Sequence, residues 1–260
     1  MTHLPFGLKS ANSYFAKTMA KVLAGLEANI LVYIDDILIF NKDFESHLNS
    51  IRKVLTRLRE STLKASTKKC CFARKQITFL GHIINNENYS PAESNTKAVK
   101  NFPTSRNARE TKRFVGMVSF FRKFIPNFAN IAEPLTRLTR KDNKFHWGGE
   151  QETAFKQLRN ALLNRPILGY PYYNRPFHIF TDASTVAQAG ALMQEDKMCA
   201  KTFYAIAYCS RTLSESERRW PANQIELGAI IYALRQFKLY ICLSEVILHC
   251  EHKPLSFPSK

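Results

Sequence analysis

The feature of this sequence that most constrains its fold is a pair of short apolar runs separated by two adjacent aspartates. Residues 30–34 read Ile-Leu-Val-Tyr-Ile and residues 37–40 read Ile-Leu-Ile-Phe, with Asp35 and Asp36 between them. Runs rich in β-branched and aromatic residues favour strands, and so short an interruption predicts a tight antiparallel hairpin. We therefore expect the two carboxylates at the tip of that hairpin.

Two explanations of Asp35 and Asp36 follow from their residue type. Aspartate is common in turns, so a solvent-exposed turn would account for both residues. Adjacent carboxylates also suit hard divalent cations, and nucleotidyl transfer commonly uses two such ions. The hairpin alone does not separate a plain turn from a metal site.

The chain carries a large basic excess, with 38 Lys and Arg against 21 Asp and Glu and a formal net charge of +17. Residues 97–144 contribute 12 basic side chains and only three acidic ones. An excess of this size favours a polyanionic partner through phosphate contacts, although a run of charge is also compatible with a merely solvated surface. The hydrophobic fraction of 45% suits packed cores and excludes a disordered chain.

Targeting and cysteine patterns give a second set of expectations. No segment approaches the roughly 18 consecutive apolar residues of a membrane span, and residues 1–10 lack a signal-peptide profile. The six cysteines show neither zinc-site spacing nor a disulfide framework. These patterns predict an intracellular protein with reduced thiols and no membrane partner.

Hydrophobic periodicity predicts an α+β, multi-domain chain. Apolar positions at helical spacing predict helices over residues 12–26, 48–58 and 154–162, and residues 77–84 are strand-like. Residues 90–93 have the pattern of a capping box with proline at the first helical position, and residues 107–110 carry a second capping signal.

The pattern changes near residue 171. Strand-like runs at 177–181, 189–194 and 202–209, a helix at 222–239 and a strand at 246–250 predict a mixed sheet in ββ(β)αβ order.

Two acids stand out in this part of the chain. Asp182 follows the first strand-like run, and Glu226 lies in the helix on the face of Ile230 and Ala233, where it would need a metal or another partner. Alternatively, Asn223 and Glu226 form a capping box, and Glu226 is then purely structural.

Several segments, taken in chain order, resemble a known family. Tyr33-Ile-Asp-Asp36 resembles the YxDD signature of reverse transcriptases. "LPFGLKSANSYF", "HLNSIRKVLTRL", "KKCCFARKQITFLGHII", "RFVGMVSFFRKFIPNFANIAEPLTRL", "FTDAS" and "AYCSRTLSESERRWPANQIELGAIIYALRQF" resemble further parts of the reverse transcriptase/RNase H region of gypsy-type LTR retrotransposon Pol polyproteins. The resemblance implies a partial palm over residues 1–84, a helical thumb and connection over 85–170, and a truncated RNase H-like domain over 171–260.

The resemblance also implies roles in polymerisation. Asp35 and Asp36 would bind catalytic Mg²⁺, with Mn²⁺ as the alternative ion, and Phe6 and Gly7 would shape the dNTP site. Phe6 as a buried core aromatic is the competing interpretation. Residues 79–81 would position the primer terminus. The implied partners are an RNA template, a DNA primer, dNTP and other parts of the Pol polyprotein, in the cytoplasm or a virus-like particle.

A second set of implied roles concerns cleavage of an RNA–DNA hybrid. Asp182, Glu226 and Glu251 would be the acids of that site, the first two as metal ligands. Glu251 departs from the family, which usually has aspartate there, and its extra methylene moves the carboxylate by roughly 1.5 Å. Catalytic geometry is sensitive to such a displacement. The alternative function is therefore a catalytically inactive, nucleic-acid-binding remnant of such an element.

We expect the purified chain alone neither to extend a primer nor to cut a hybrid efficiently. The family has another metal-binding aspartate upstream of the hairpin, which this sequence does not contain, and Glu251 replaces the usual aspartate. Primer extension with Mg²⁺ and cleavage of a labelled hybrid with Mn²⁺ measure the two activities. Extension that disappears in Asp35→Asn, or robust hybrid cleavage, would contradict the expectation.

Overall fold

The computed structural model describes residues 10–141, 143–164, 166–196 and 202–250. Phe6, Gly7 and Glu251, three of the candidate site residues, lie outside the described residues. Backbone contacts divide the described chain into two compact units, one ending at Phe79 and the other beginning at Leu80.

The first unit packs two helices around a two-stranded hairpin. Its elements are α1 (Ala11–Val22), β1 (Ile30–Tyr33), β2 (Asp36–Ile39), α2 (Phe44–Glu60) and β3 (Ile77–Phe79). Its core consists of Met19, Leu23, Ile30, Val54 and Leu58, each less than a tenth exposed. The predicted hairpin and the first two predicted helices are confirmed, with α1 ending at Val22 instead of residue 26, and most of their apolar positions share one buried side.

The second unit begins with a helical part. Its elements are β4 (His82–Ile84), β5 (Asn88–Pro91), α3 (Glu93–Lys100), α4 (Ala108–Ser119), α5 (Phe128–Arg137), α6 (Gly149–Leu163) and β6 (Leu168–Gly169). Phe114, Phe155 and Leu158 lie in its core and are at most 1% exposed. The rings of Phe114 and Phe155 have centroids 4.4 Å apart.

The capping signal at Asn107 is confirmed, and the capping box predicted at residues 90–93 is wrong. Asn107 caps α4, its Oδ1 accepting a hydrogen bond of 2.9 Å from the amide of Glu110. Pro91, by contrast, is the last residue of β5 and pairs with His82, and α3 begins at Glu93 with Ala92 as its N-cap. The amide of Ala92 donates to the carbonyl of Gly81, so strand pairing extends past the expected helix start.

The second unit continues into a four-stranded mixed sheet. It contains β7 (Phe177–Ala183), β8 (Ala187–Glu195), β9 (Phe203–Thr212), α7 (Ala222–Ile241) and β10 (Val246–Cys250). The strand order is β10-β7-β8-β9, with β10 parallel to β7 and the other pairs antiparallel. The predicted ββ(β)αβ order is confirmed.

Helices cover both faces of this sheet. On one face α7 approaches so closely that a Cβ on Gly190 would lie 2.8 Å from Cβ of Ala233, so only glycine fits there. On the other face α5 contacts β8 and β9. Among the described residues, none of the helices has the length and apolar character needed to cross a membrane.

An ion pair fixes the loop that leads from β9 into α7. Both guanidinium Nη atoms of Arg211 donate to the carboxylate of Glu217, at 2.9 and 2.6 Å. The amide and hydroxyl of Ser214 also donate to this carboxylate, each at 2.8 Å. Hydrogen bonds from Arg211 and Ser214 lower the pKa of Glu217 from 4.5 to about 2.

Glu217→Gln should therefore destabilise the protein in a pH-dependent way. Because the folded-state pKa is depressed, the ionised carboxylate stabilises the fold fully above about pH 4.5, and this contribution is lost as the pH falls towards 2. We expect a loss of roughly 1–3 kcal/mol in the free energy of unfolding at pH 7. Urea unfolding at pH 7, 4 and 3 measures the difference from wild type, which should shrink in that order. Glu215→Gln, an exposed change in the same loop, is the control, and a pH-independent difference would contradict the assignment.

Candidate functional site

The hairpin of the first unit has a two-residue turn formed by Ile34 and Asp35. Tyr33 pairs with Asp36, so Asp36 is the first residue of β2. The expectation that both aspartates separate the strands is thus wrong by one residue. Ile34 has a φ of 55°, a left-handed conformation that is strained for a β-branched side chain.

This geometry presents both carboxylates to solvent. Ile30 is buried and Val32 packs against the core, whereas Leu31 and Tyr33 are more than half exposed, so the hairpin buries one face. Asp35 and Asp36 are both exposed. The described part of the chain contains no group of three His, Cys, Asp or Glu residues that could hold a metal ion. Among the described residues, a cation bound at the hairpin would therefore find only two carboxylate ligands, Asp35 and Asp36.

The second group of candidate residues surrounds the sheet of the second unit. Asp182 is exposed, near the end of β7, and pairs with Ala189 of β8. Thr181 pairs with Gly190, which contacts α7, so alternation along the strand directs Asp182 to the opposite face. A cavity of about 780 Å³ lies on that face and is lined in part by Asn127, Asp182, Tyr208 and His249.

Glu226 lies in the first turns of α7 and is half-buried. The helix begins at Ala222 with Pro221 as its N-cap, and no side chain caps it. Asn223 therefore lies inside the helix, and its Oδ1 accepts a hydrogen bond of 2.9 Å from the adjacent amide of Gln224. The capping-box explanation of Glu226 is therefore wrong, because the helix starts one residue before Asn223.

The sequence interpretation missed a cluster of rings beside Asp182. Nδ1 of His178 lies 2.9 Å from Nε2 of His249, and the His249 ring stacks on Phe180 with centroids 4.2 Å apart. Burial, followed by the nearby His178, lowers the pKa of His249. In the sequence, only the alternation of His178 and Phe180 within a strand indicates that two rings share a face. That His249 joins them depends on the parallel register of β7 and β10, which the sequence does not show.

At least three of the 12 basic residues in the 97–144 stretch have partners in the second unit. Arg137 pairs with the Glu150 carboxylate at 2.7 Å, and Lys123 and Arg122 contact rings and backbone. The ammonium group of Lys123 lies 4.8 Å from the ring centroid of Tyr89 and 5.3 Å from that of Phe124, and burial lowers its pKa. Arg122 donates to the carbonyl of Ser210 in β9. Lys123 and Arg122 stabilise packing, so the basic surface open to a polyanion is smaller than the sequence count suggests.

Comparison with known families assigns both parts of the chain. Residues 1–84 match the family model for reverse transcriptase (RNA-dependent DNA polymerase). Residues 147–248 match the model for the RNase H-like domain found in reverse transcriptase.

Related proteins include several transposon polyproteins. The retrovirus-related Pol polyprotein from transposon 297 of Drosophila melanogaster is 35% identical over 97% of this chain and 23% of its own length. The corresponding polyprotein from transposon gypsy of the same organism is 31% identical over 98% of this chain and 25% of its length. The chain thus spans about a quarter of the length of these relatives.

Solved structures share the fold. The foamy viral protease-reverse transcriptase in complex with dsDNA matches 99% of this chain and 54% of its own, with a TM-score of 0.81 and 24% identity. The structure of the foamy viral protease-reverse transcriptase dRH in complex with dsDNA gives a TM-score of 0.82 over 98% of this chain and 45% of its own, again with 24% identity. Residues 1–84 therefore belong to the reverse transcriptase family and residues 147–248 to the RNase H-like domain family found in reverse transcriptase, in a chain that is similar over nearly its whole length to transposon Pol polyproteins.

Proposed function

We propose that this chain is the part of an RNA-directed DNA polymerase that carries the metal-binding Asp35-Asp36 pair, followed by an RNase H-like module. The observation that carries the proposal is the strained hairpin turn that exposes both carboxylates in a region matching reverse transcriptases. A left-handed Ile34 costs free energy, and backbone strain of this kind clusters at functional sites.

The donor set of the hairpin fits Mg²⁺, with Mn²⁺ as the alternative. Both ligands are hard carboxylate oxygens, which these ions prefer. Because Asp35 and Asp36 are exposed, an ion can reach both carboxylates directly from solvent. A bound ion would neutralise charge that develops during nucleotidyl transfer, while the hairpin fixes where the carboxylates stand.

The proposed macromolecular partners are an RNA template, a DNA primer and an RNA–DNA hybrid. The net charge of +17 supports sequence-independent contact with phosphates. Related structures of the foamy viral enzyme are complexes with dsDNA and with an RNA/DNA hybrid. We further propose dNTP binding near Phe6 and Gly7, association with other parts of the polyprotein, and a location in the cytoplasm or a virus-like particle.

For the RNase H-like module, we propose that Asp182 and Glu226 bind metal and that Glu251 takes the third acidic position. The replacement of aspartate by Glu251 favours a second candidate function, in which the module binds a hybrid without cutting it. Both candidate functions predict that the module binds an RNA–DNA hybrid, and only the first predicts that it cuts the RNA strand.

Mn²⁺ titration followed by NMR tests the polymerase site. Paramagnetic Mn²⁺ should broaden the amide signals around residues 33–38 in the wild-type chain, and Asp35→Asn and Asp36→Asn should each remove most of that broadening. Glu60→Gln, which removes an exposed charge at the end of α2, is the matched control and should change nothing. Broadening that is equal in all four proteins would contradict a metal site at the hairpin.

Hybrid binding separates the metal site from the nucleic-acid surface. Fluorescence anisotropy with a labelled RNA–DNA hybrid should show binding that weakens steeply with salt, because phosphate contacts release counterions. The wild type and Asp35→Asn should bind similarly in the absence of divalent ions. Binding that is absent at low salt would contradict the proposed partners.

A further inference from the structure

We propose that Asn127, at the start of α5, is a positioning residue that orients the carboxylate of Asp182. The proposal rests on the metal-binding role proposed above for Asp182. It assigns a task in the RNase H-like site to a residue from the helical part of the chain, outside the sheet. Nδ2 of Asn127 donates to Oδ2 of Asp182 at 3.4 Å, across 55 residues of sequence.

The backbone of Asn127 is set up for this contact rather than for capping. Asn127 is the N-cap of α5, and asparagine there normally accepts a hydrogen bond from an amide of the first helical turn. In this chain Asn127 has φ 50° and ψ 29°, a left-handed conformation, and its side chain caps nothing. The residue thus adopts an uncommon conformation without the usual stabilisation, and its amide is directed to Asp182 instead.

The sheet register brings the two residues together. Ala189 pairs with Asp182 on one side and with Ser210 on the other, so the three residues form a row across β7, β8 and β9. Because paired residues share a face, all three side chains point to the face that α5 contacts. The small side chain in the middle of the row leaves room for the start of α5 to lie across it.

The segment around Asn127 is anchored to this row on both sides. After Asn127, the amide of Ala129 donates to Oγ of Ser210 at 3.0 Å in a buried contact. Before it, Arg122 donates to the Ser210 carbonyl, which also accepts a hydrogen bond of 2.9 Å from the hydroxyl of Tyr232. Ser210 itself is only 2% exposed. Asn127 is therefore held at a fixed place beside an otherwise exposed carboxylate.

The chemical consequence is a restricted Asp182 side chain. Residues that orient a metal ligand reduce the entropy lost when the ion binds, and removing them typically weakens metal affinity by about 10–100-fold. The start of a helix also carries partial positive charge, which favours a carboxylate nearby. The anchored end of α5 therefore preorganises Asp182 before any ion arrives.

The test uses two substitutions that both tolerate a left-handed backbone. Asn127→Gly removes the side chain, and Asn127→Asp keeps its shape but replaces the donating amide with a carboxylate. Asn130→Asp places the same new charge on an exposed position of α5 and serves as the control. Protection of the Ala129 amide from hydrogen exchange verifies that the anchor to Ser210 is intact in each variant.

The first measurement needs no metal. Three-bond couplings to Cγ of Asp182 should show one dominant χ1 rotamer in the wild type and in Asn130→Asp. In Asn127→Gly and Asn127→Asp the couplings should move to values averaged over several rotamers. Couplings that stay the same in both Asn127 variants would overturn the proposal, whatever the metal does.

The second measurement is the Mn²⁺ affinity at Asp182, from broadening of its amide signal. Asn127→Gly should raise the apparent dissociation constant by roughly tenfold, and Asp182→Asn should abolish the broadening. If Asp182→Asn has no effect, the proposed metal role of Asp182 fails, while the couplings still decide the positioning. If Asp182→Asn abolishes broadening and Asn127→Gly leaves the affinity unchanged, the positioning role is wrong.

Discussion

Hydrogen bonds from both sides of the sheet in the second unit converge on Ser210. Its hydroxyl and carbonyl accept hydrogen bonds from Ala129, Arg122 and Tyr232, which come from two different helices and the segment between α4 and α5. The buried carbonyl of Ser210 has two donors and its buried hydroxyl has one. Removing these donors would leave buried polar atoms without partners, which destabilises a fold. Through this residue, helices on opposite faces of the sheet share one attachment, and Asp182 lies in the same register row.

The two carboxylate sites are built on different principles. Asp35 and Asp36 are neighbours in sequence, so a local turn is enough to place them together, and the cost appears as the left-handed Ile34. Asp182 and Glu226 come from a strand and from a helix on the other face of the sheet, so their arrangement depends on tertiary packing. A substitution at the hairpin should therefore change the geometry of that turn alone. A substitution in the RNase H-like module should act on its carboxylates through the packing of strands and helices.

Much of the fold could be predicted from the sequence, since its signals are local. The hairpin, the helices α1, α2, α4 and α7 and the ββ(β)αβ order all rest on apolar spacing over a few residues. The capping patterns failed at Pro91 and at Glu226, because strand pairing and an earlier helix start used the same residues. A short motif cannot report which of two local structures the surrounding chain will favour.

By itself the sequence determined the lineage, the Asp35-Asp36 hairpin and the identity of the acids, because motif order and residue type are read directly from the chain. Only the tertiary structure decided which face Asp182 points to, and that Asn127, Ser210 and His249 surround that face. In the sequence these three residues lie between 28 and 67 positions from Asp182, so no local pattern links them to it. Strand register and helix packing bring them together, and both are settled by the burial of the whole core.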